Sequence, residues 1–320
     1  MASKKNDGNA IAWTLAILAS AVIFGIFYLI SDKVDRHNSQ EIADLIAMMD
    51  KDSRMSEESI DSTSSTAPNN APESPSNSAP RTIKKSSSKS PSSSSNGAWS
   101  YKGSEGPEYW GGISSAYEKC QSGKKQSPVN IEDFKQSTKL LPLKFVYRNS
   151  EISLHNNGHT IQGNYAPGSH IEIQGDTYNL LQFHFHTPSE HQMTGIQYDV
   201  EIHFVHKDEN GRIAYVGLFV EEGMANSSLE KIWKDLPMHK GDRAAANELN
   251  IEDILPKERS YYHYMGSITT PPCTENVRWY LLKQSIEMSA NQIDRLVRLL
   301  RFNARPTQNL NGRIILRSTR

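Results

Sequence analysis

The chain has 320 residues, almost balanced acidic and basic side chains, and a formal net charge of −1 at pH 7. This balance argues against nucleic acid as a main partner, since such partners attract strongly basic surfaces. The composition changes sharply along the chain, so the length alone does not give the number of domains.

The first predicted element is a membrane anchor. After a tail at 1–9 that contains Lys4 and Lys5, residues 10–30 form an uncharged apolar run. As a helix this run spans about 30 Å, the thickness of the hydrocarbon core of a bilayer. A cleavable signal peptide is the alternative, but its apolar core is usually shorter and ends at a small-residue site, which 31–33 does not offer. We therefore predict an uncleaved transmembrane anchor that holds the following chain on the extracytoplasmic side, in a periplasmic or extracellular space.

Two further segments separate the anchor from the rest of the chain. Residues 31–50 carry apolar side chains at helical spacing from Ile42 to Met49, which predicts a short juxtamembrane amphipathic helix. It either extends the anchor or forms the stalk of a homodimer, although fewer than three heptads rarely hold a coiled coil alone. Residues 51–98 contain 17 serines among 48 residues and almost no large apolar side chains, which predicts a disordered linker.

Residues 99–320 have the composition of one globular domain with a substantial core. Helical patterns are few, at 227–236 and 289–301. The predicted fold class is therefore mostly β, an α+β domain with few helices. Strand-like runs bounded by Gly, Asn and Pro recur at 143–147, 151–154, 170–174, 178–186, 199–205, 213–220 and 278–282.

Three histidines lie in two of these runs. Alternate side chains of a strand share a face, so His184 and His186 point the same way. His203 joins them if the two strands pair with their polar faces aligned. An isolated histidine on a strand is more often hydrogen-bonded to a backbone carbonyl. Three neutral imidazoles with an open fourth position, however, are how a catalytic Zn²⁺ is held, and the pattern predicts such a site.

Each run also places a polar side chain two residues before a histidine, on the same face. Gln182 precedes His184, and Glu201 precedes His203. Metal-bound histidines usually donate their second N–H to such a group, which fixes the tautomer. We therefore predict that Gln182 and Glu201 orient the two rings.

The chain has two cysteines, Cys120 and Cys273. They form either a disulfide or a pair of buried free thiols. A location beyond a membrane anchor favours the disulfide, because such compartments are oxidising.

The zinc-ligand pattern and the motifs around it resemble the α-class carbonic anhydrases of the bacterial type. The matching motifs occur in order through 99–320, and the first hundred residues lie outside the resemblance. The motifs are Gly-Pro-Glu-Tyr-Trp at 106–110, Gln-Ser-Pro-Val-Asn-Ile at 126–131, Asn-Asn-Gly-His at 156–159, the two histidine strands, Ser-Glu-His at 189–191, Gly-Ser-Ile-Thr-Thr-Pro-Pro at 266–272 and Asn-Ala-Arg-Pro at 303–306.

The resemblance implies a single domain around a central, largely antiparallel twisted sheet of about ten strands. It implies a zinc lyase that converts carbon dioxide reversibly to bicarbonate and a proton by a zinc-bound hydroxide. The metal ligands would be His184, His186 and His203. Thr269 would donate its hydroxyl to Glu190 and orient the attacking oxygen, and His159 would shuttle the proton to solvent.

The resemblance also implies an apolar carbon dioxide pocket. Tyr215 departs from the family pattern, which commonly has Val at that position, and a ring there could narrow the pocket or turn aside. The alternative to an enzyme is a catalytically weak or silent domain of this family, used for binding on a membrane tether. A zinc hydrolase of another class has no support, since the chain lacks a His-Glu-x-x-His helix. The implied pocket residues are Val205, Tyr215, Ile268, Thr270, Val277 and Trp279.

Overall fold

The computed structural model describes residues 98–319. The predicted tail, anchor and juxtamembrane helix, and all but the last residue of the predicted linker, lie outside the described residues and stay predictions. Within 98–319, none of the helices combines the length and the apolar character that crossing a membrane requires.

Strands dominate the described part of the chain, and the helices are short. The strands are β1 (Asn130–Ile131), β2 (Lys135–Ser137), β3 (Lys144–Val146), β4 (Ser150–Asn156), β5 (Ile161–Tyr165), β6 (His170–Ile173), β7 (Asp176–His186), β8 (Gln192–Met193), β9 (Val200–Lys207), β10 (Ile213–Glu222), β11 (Arg243–Leu249), β12 (Tyr261–Ser267), β13 (Glu275–Leu282), β14 (Ile286–Met288) and β15 (Leu316–Ser318). The α-helices are α1 (Trp110–Ile113), α2 (Lys119–Ser122), α3 (Ser227–Trp233) and α4 (Ala290–Leu300). Short 3₁₀ turns occupy Gly103–Glu105, Ser115–Tyr117 and Ile251–Ile254.

One 13-stranded sheet organises the domain. Its continuous path runs β11-β4-β5-β7-β9-β10-β13-β12-β15-β2, with β3, β6 and β14 attached beside it. Pairing is antiparallel except where β13 and β14 join β10 and where β15 joins β2. The mostly-β class with a large antiparallel sheet is thus confirmed. Both predicted helices are present and slightly shorter, and α4 begins at a capping box formed by Ser289 and Gln292.

The two faces of the central strands carry different side chains: one face packs into the apolar core and the other presents the histidines. On β7 and β9, Phe183, Phe185, Ile202 and Phe204 are buried in the main apolar core, and each such side chain contributes about 1.5–3 kcal/mol of burial free energy. The histidines alternate with them and face the other way. Because a slip of one residue would exchange the two faces, the apolar core fixes the register that positions the histidines.

The predicted disulfide is present. Cys120 in α2 bonds to Cys273, which follows β12, across a sequence separation of 153 residues. The buried guanidinium of Arg305 lies beside this link, donating to the Cys120 carbonyl at 2.9 Å and to the Ser127 carbonyl at 2.7 Å. These contacts tie the N-terminal segment of the domain to the loop that carries Thr269.

Candidate metal centre

Antiparallel pairing of β7 with β9 brings the three predicted ligands together. His184 lies directly opposite His203 in the register, and His186 lies opposite Glu201. One nitrogen from each of the three buried rings falls within 4.8 Å of the others. His184 Nε2 and His203 Nδ1 are 3.3 Å apart. Two ligand nitrogens of a tetrahedral zinc, each about 2.0–2.1 Å from the metal, are separated by about 3.3–3.4 Å, so the spacing fits this ion.

The outer nitrogen of each ring has a hydrogen-bond acceptor. His184 Nδ1 donates to Gln182 Oε1 at 2.9 Å, and His203 Nε2 donates to Glu201 Oε1 at 2.8 Å. His186 Nδ1 donates to the backbone carbonyl of Asn303 at 2.8 Å. A neutral imidazole carries one proton, so these bonds leave the inner nitrogens as lone-pair donors.

The inner nitrogens converge without protons between them. Burial is the main cause that lowers the pKa of all three rings, and it lowers that of His186 to about 3. His186 Nε2 is buried and makes no hydrogen bond within residues 98–319. Unpaired buried nitrogens are costly, and a cation held by all three would satisfy them. The donor set of three imidazoles is one that zinc prefers.

Glu201 is the most heavily bonded side chain of the site. Its Oε1 accepts from His203 Nε2 and from His191 Nδ1, both at 2.8 Å. Its Oε2 accepts from the backbone N–H groups of Glu190 and His191 at 2.9 and 2.8 Å. Burial alone would raise the pKa of this carboxyl, but the charges and hydrogen bonds of His191 and His203 outweigh it and hold the pKa well below its usual range.

Glu190 and Thr269 lie together beside the rings, and both are buried. Glu190 Oε1 accepts from the backbone N–H of Arg305 at 2.9 Å. Its Oε2 lies 3.4 Å from His186 Nε2 and has no hydrogen bond of ordinary geometry among the described residues. Burial raises the pKa of Glu190 well above its usual value, and hydrogen bonding from the Thr269 hydroxyl and the Arg305 N–H opposes that rise.

His159 lies outside the ring cluster, in the turn between β4 and β5. Its imidazole stacks on Trp99, with ring centroids 3.7 Å apart and planes 9° from parallel. Asn157 shapes the turn by accepting from the backbone N–H of His159 at 2.9 Å. Burial, and then the charge of Lys240, lower the pKa of this half-buried histidine from 6.5.

The predicted pocket residues surround the rings on one side. Val205, Val277 and Trp279 are buried in one apolar cluster, and Ile268 packs against it. Thr270 lies in the following turn, where its carbonyl accepts from the Cys273 N–H at 2.8 Å.

Tyr215 is part of the same cluster and does not turn away from the centre. It pairs in register with Val205 and Trp279, and its ring centroid is 5.9 Å from that of His203. Only 7% of its surface is exposed. Its ring therefore occupies space beside the three imidazoles.

Three residues at the site had no role assigned from sequence. Asn303 accepts from His186, and its amide also donates to the carbonyl of His159 at 3.0 Å. Arg305 holds Glu190 through its backbone N–H, and Trp99 supports the His159 ring. The motif at 303–306 marked two of them as special, but nothing local in the sequence gives their partners.

These features define a class of protein: a domain built on a large, mostly antiparallel sheet that presents three converging imidazoles able to hold a metal ion, beside a Thr-Glu pair and an apolar cluster. The sequence model of the eukaryotic-type carbonic anhydrase family matches residues 105–319, and the chain belongs to this family.

Relatives and solved structures are similar over the same region. A carbonic anhydrase of Neisseria gonorrhoeae is 41% identical over 220 residues, which are 68% of this chain and 87% of the relative. The α-carbonic anhydrase of Thermovibrio ammonificans, solved with the inhibitor sulfanilamide, is 40% identical and superposes with a TM-score of 0.67 over 68% of this chain and 98% of that one. Dioscorin, solved with ascorbate, is 29% identical with a TM-score of 0.66, over 69% of this chain and 97% of that one.

Replacing Glu201 with Gln tests whether its hydrogen bonds hold the three candidate ligand rings in place. Glu201→Gln removes the charge that four N–H groups share and turns one oxygen into a donor that opposes them. We expect zinc affinity to fall about 10–100-fold, measured by equilibrium competition with a chelator. Glu222→Gln, on an exposed part of β10, is the matched control and should leave the affinity unchanged. Equal affinities in both variants would contradict the role of Glu201.

Proposed function

We propose that this chain is a zinc enzyme that converts carbon dioxide reversibly to bicarbonate and a proton, with His184, His186 and His203 as the metal ligands. The observation that carries the proposal is the convergence of three inner ring nitrogens within 4.8 Å of one another, one pair of them 3.3 Å apart, while the outer nitrogen of each ring is hydrogen-bonded. Family membership supports the reaction. When bound, the zinc supplies a water of lowered pKa that can attack a weak electrophile.

Thr269 and Glu190 orient the reacting oxygen. Glu190 is held by the Arg305 N–H, so its carboxylate is fixed as the acceptor for the Thr269 hydroxyl. When that hydroxyl donates to Glu190, only its lone pairs remain for the reacting oxygen, so it accepts a hydrogen bond from that oxygen. This arrangement directs a lone pair of the attacking oxygen at the substrate carbon.

The pocket wall selects a small apolar substrate. Carbon dioxide has no net dipole and gains no hydrogen bond, so Val205, Ile268, Val277 and Trp279 bind it mainly by excluding water. Thr270 borders this space. Tyr215 narrows it, and this ring is the one observation that favours the second candidate, a weakly active or silent binding domain.

His159 takes the proton that each turnover releases. Its imidazole is half-buried on Trp99 rather than sealed in the core, so it can exchange protons with solvent. Asn303 bonds to both the His159 backbone and the His186 ring, so the two sites share one positioning residue.

We also propose that the domain at 99–320 is tethered through 51–98 to a membrane anchor at 10–30, outside the cytoplasm. The Cys120–Cys273 disulfide supports an oxidising compartment.

The metal and the reaction are tested together. The purified chain should hold one zinc and accelerate carbon dioxide hydration in a stopped-flow pH-indicator assay. His184→Ala should lose most of the zinc and the activity, whereas His170→Ala, on β6 outside the centre, should keep both. Zinc-loaded protein that gives no acceleration over buffer would refute the proposed activity. Metal-free protein that is active would refute the requirement for zinc.

The shuttle is tested by replacing His159. His159→Ala should lower kcat in weak buffer by about tenfold or more, and added imidazole should restore part of it. A histidine accepts a proton only in its neutral form, which prevails above its pKa, so the inflection of kcat due to His159 should lie below pH 6.5. Lys240→Gln should move this inflection to higher pH, and Lys231→Gln in α3 should not. Turnover that is insensitive to His159→Ala in weak buffer would contradict the assignment.

The pocket ring is tested with two substitutions. Tyr215→Val should raise kcat/KM for carbon dioxide several-fold, because it removes the ring that narrows the pocket, while Tyr215→Phe should stay close to the parent. Thermal unfolding and zinc content verify that each variant is folded. If Tyr215→Val does not raise kcat/KM, the ring does not limit access.

A further inference from the structure

Gln126 and Ser127 are buried just before β1, and they lie against the loop between β12 and β13, which carries Thr269. Ser127 binds the start of this loop. Its N–H donates to the Ser267 hydroxyl at 2.9 Å, and its own hydroxyl accepts from the Ser267 N–H at 3.0 Å. Gln126 binds the end of the loop, because its Nε2 donates to the Cys273 carbonyl at 3.0 Å. Two consecutive residues therefore hold both ends of the loop.

The end of this loop has a backbone conformation that needs support. Cys273 has a φ of 60°, in the left-handed region that residues with a side chain rarely adopt. Its N–H donates to the Thr270 carbonyl at 2.8 Å, and the Ile268 N–H donates to the Thr274 carbonyl at 3.0 Å. Because these two bonds close the loop into a turn, a displacement of Cys273 also displaces Thr269.

The oxygen of the Gln126 amide binds the residue that holds Glu190. Gln126 Oε1 accepts from Arg305 Nη1 at 2.9 Å, and the backbone N–H of Arg305 donates to Glu190 Oε1 at 2.9 Å. The same guanidinium donates to the carbonyls of Cys120 and Ser127, so three acceptors fix its position. A shift of Gln126 would therefore also disturb the residue that holds Glu190.

A carboxamide suits this position because it offers an acceptor at one end and donors at the other. The guanidinium of Arg305 can only donate, and the carbonyl of Cys273 can only accept, so the two partners fix which way the amide points. Gln126 Nε2 has a second acceptor in Glu275 Oε1 at 3.2 Å. Both ends of this buried amide are therefore bonded.

We propose that Gln126 is a positioning residue for the reaction, which sets the placement of Thr269 relative to Glu190. This role rests on the proposed function, in which those two groups orient the attacking oxygen. Glu190 is held through Arg305 and the turn is held through Cys273, and a single amide joins both holds. The disulfide gives a second, longer connection between them, so loss of the amide weakens the placement without abolishing it.

The test compares Gln126→Glu with Gln136→Glu in the full-length, zinc-loaded protein. Gln126→Glu keeps an acceptor for Arg305 but replaces the donor to Cys273 with an oxygen that repels its carbonyl. We expect kcat/KM for carbon dioxide to fall about tenfold, while kcat in weak buffer, which proton release through His159 limits, falls less. Gln136→Glu makes the same change on an exposed part of β2 and should match the parent.

A double-mutant cycle separates positioning from general damage to the fold. In a Thr269→Ala background, Gln126→Glu should have little further effect on kcat/KM, because the group that it positions is already absent. Amide hydrogen exchange reports on the turn without turnover. The N–H groups of Ile268 and Cys273 should exchange several-fold faster in Gln126→Glu than in the parent. If this variant does not fold, Gln126→Asn, which is too short to reach both partners, takes its place.

Three results would contradict the role of Gln126: equal losses of kcat and kcat/KM, additive effects in the cycle, or unchanged exchange in the turn. An active parent whose Gln126→Glu variant is equally active refutes this inference and leaves the proposed function intact. A zinc-loaded parent without activity refutes the proposed function, and the exchange measurement then decides by itself whether Gln126 holds the turn.

Discussion

The buried carboxylate of Glu201 is the interaction on which the site depends. One side chain without solvent contact accepts four N–H donors, two from imidazoles and two from the backbone of 190–191. Each of these bonds is charge-assisted and therefore stronger than a neutral one. Through them a single charge sets the tautomer of His203, holds the His191 ring in place and fixes the backbone that carries Glu190.

A series of hydrogen bonds links Glu201 to Glu190 through residues from other parts of the chain. His191 Nε2 lies 2.7 Å from the Tyr264 hydroxyl, which donates to Ser127. The Ser127 carbonyl in turn accepts from the Arg305 guanidinium, and the backbone N–H of Arg305 donates to Glu190. The disulfide connects this network to the loop that carries Thr269, because the Cys120 carbonyl accepts a hydrogen bond from Arg305 and Cys273 comes shortly after Thr269. The Thr-Glu pair is thus held from both ends by groups far apart in sequence.

The sequence predicted what depends on local periodicity. Gln182 and Glu201 could be paired with their histidines because strands repeat every two residues, and the structure has those contacts. β11 was missed because its alanines resemble a helix, and pairing with β4 overrides that preference. The contacts of Asn303 with His186 and of Trp99 with His159 could not be predicted, since each joins residues that are more than 50 positions apart in the sequence. The resemblance supplied Thr269 and His159, whose local sequence is that of ordinary turns.

The most direct test of the account is zinc K-edge X-ray absorption of the full-length protein as purified. We expect four light-atom ligands at about 2.0–2.1 Å from the zinc, with imidazole multiple scattering that corresponds to three histidines. In Glu201→Gln the same spectrum should show a loss of imidazole order. Zinc with sulfur at about 2.3 Å, zinc with fewer than three imidazoles, or protein free of zinc would contradict the central claim that these three rings form a metal centre.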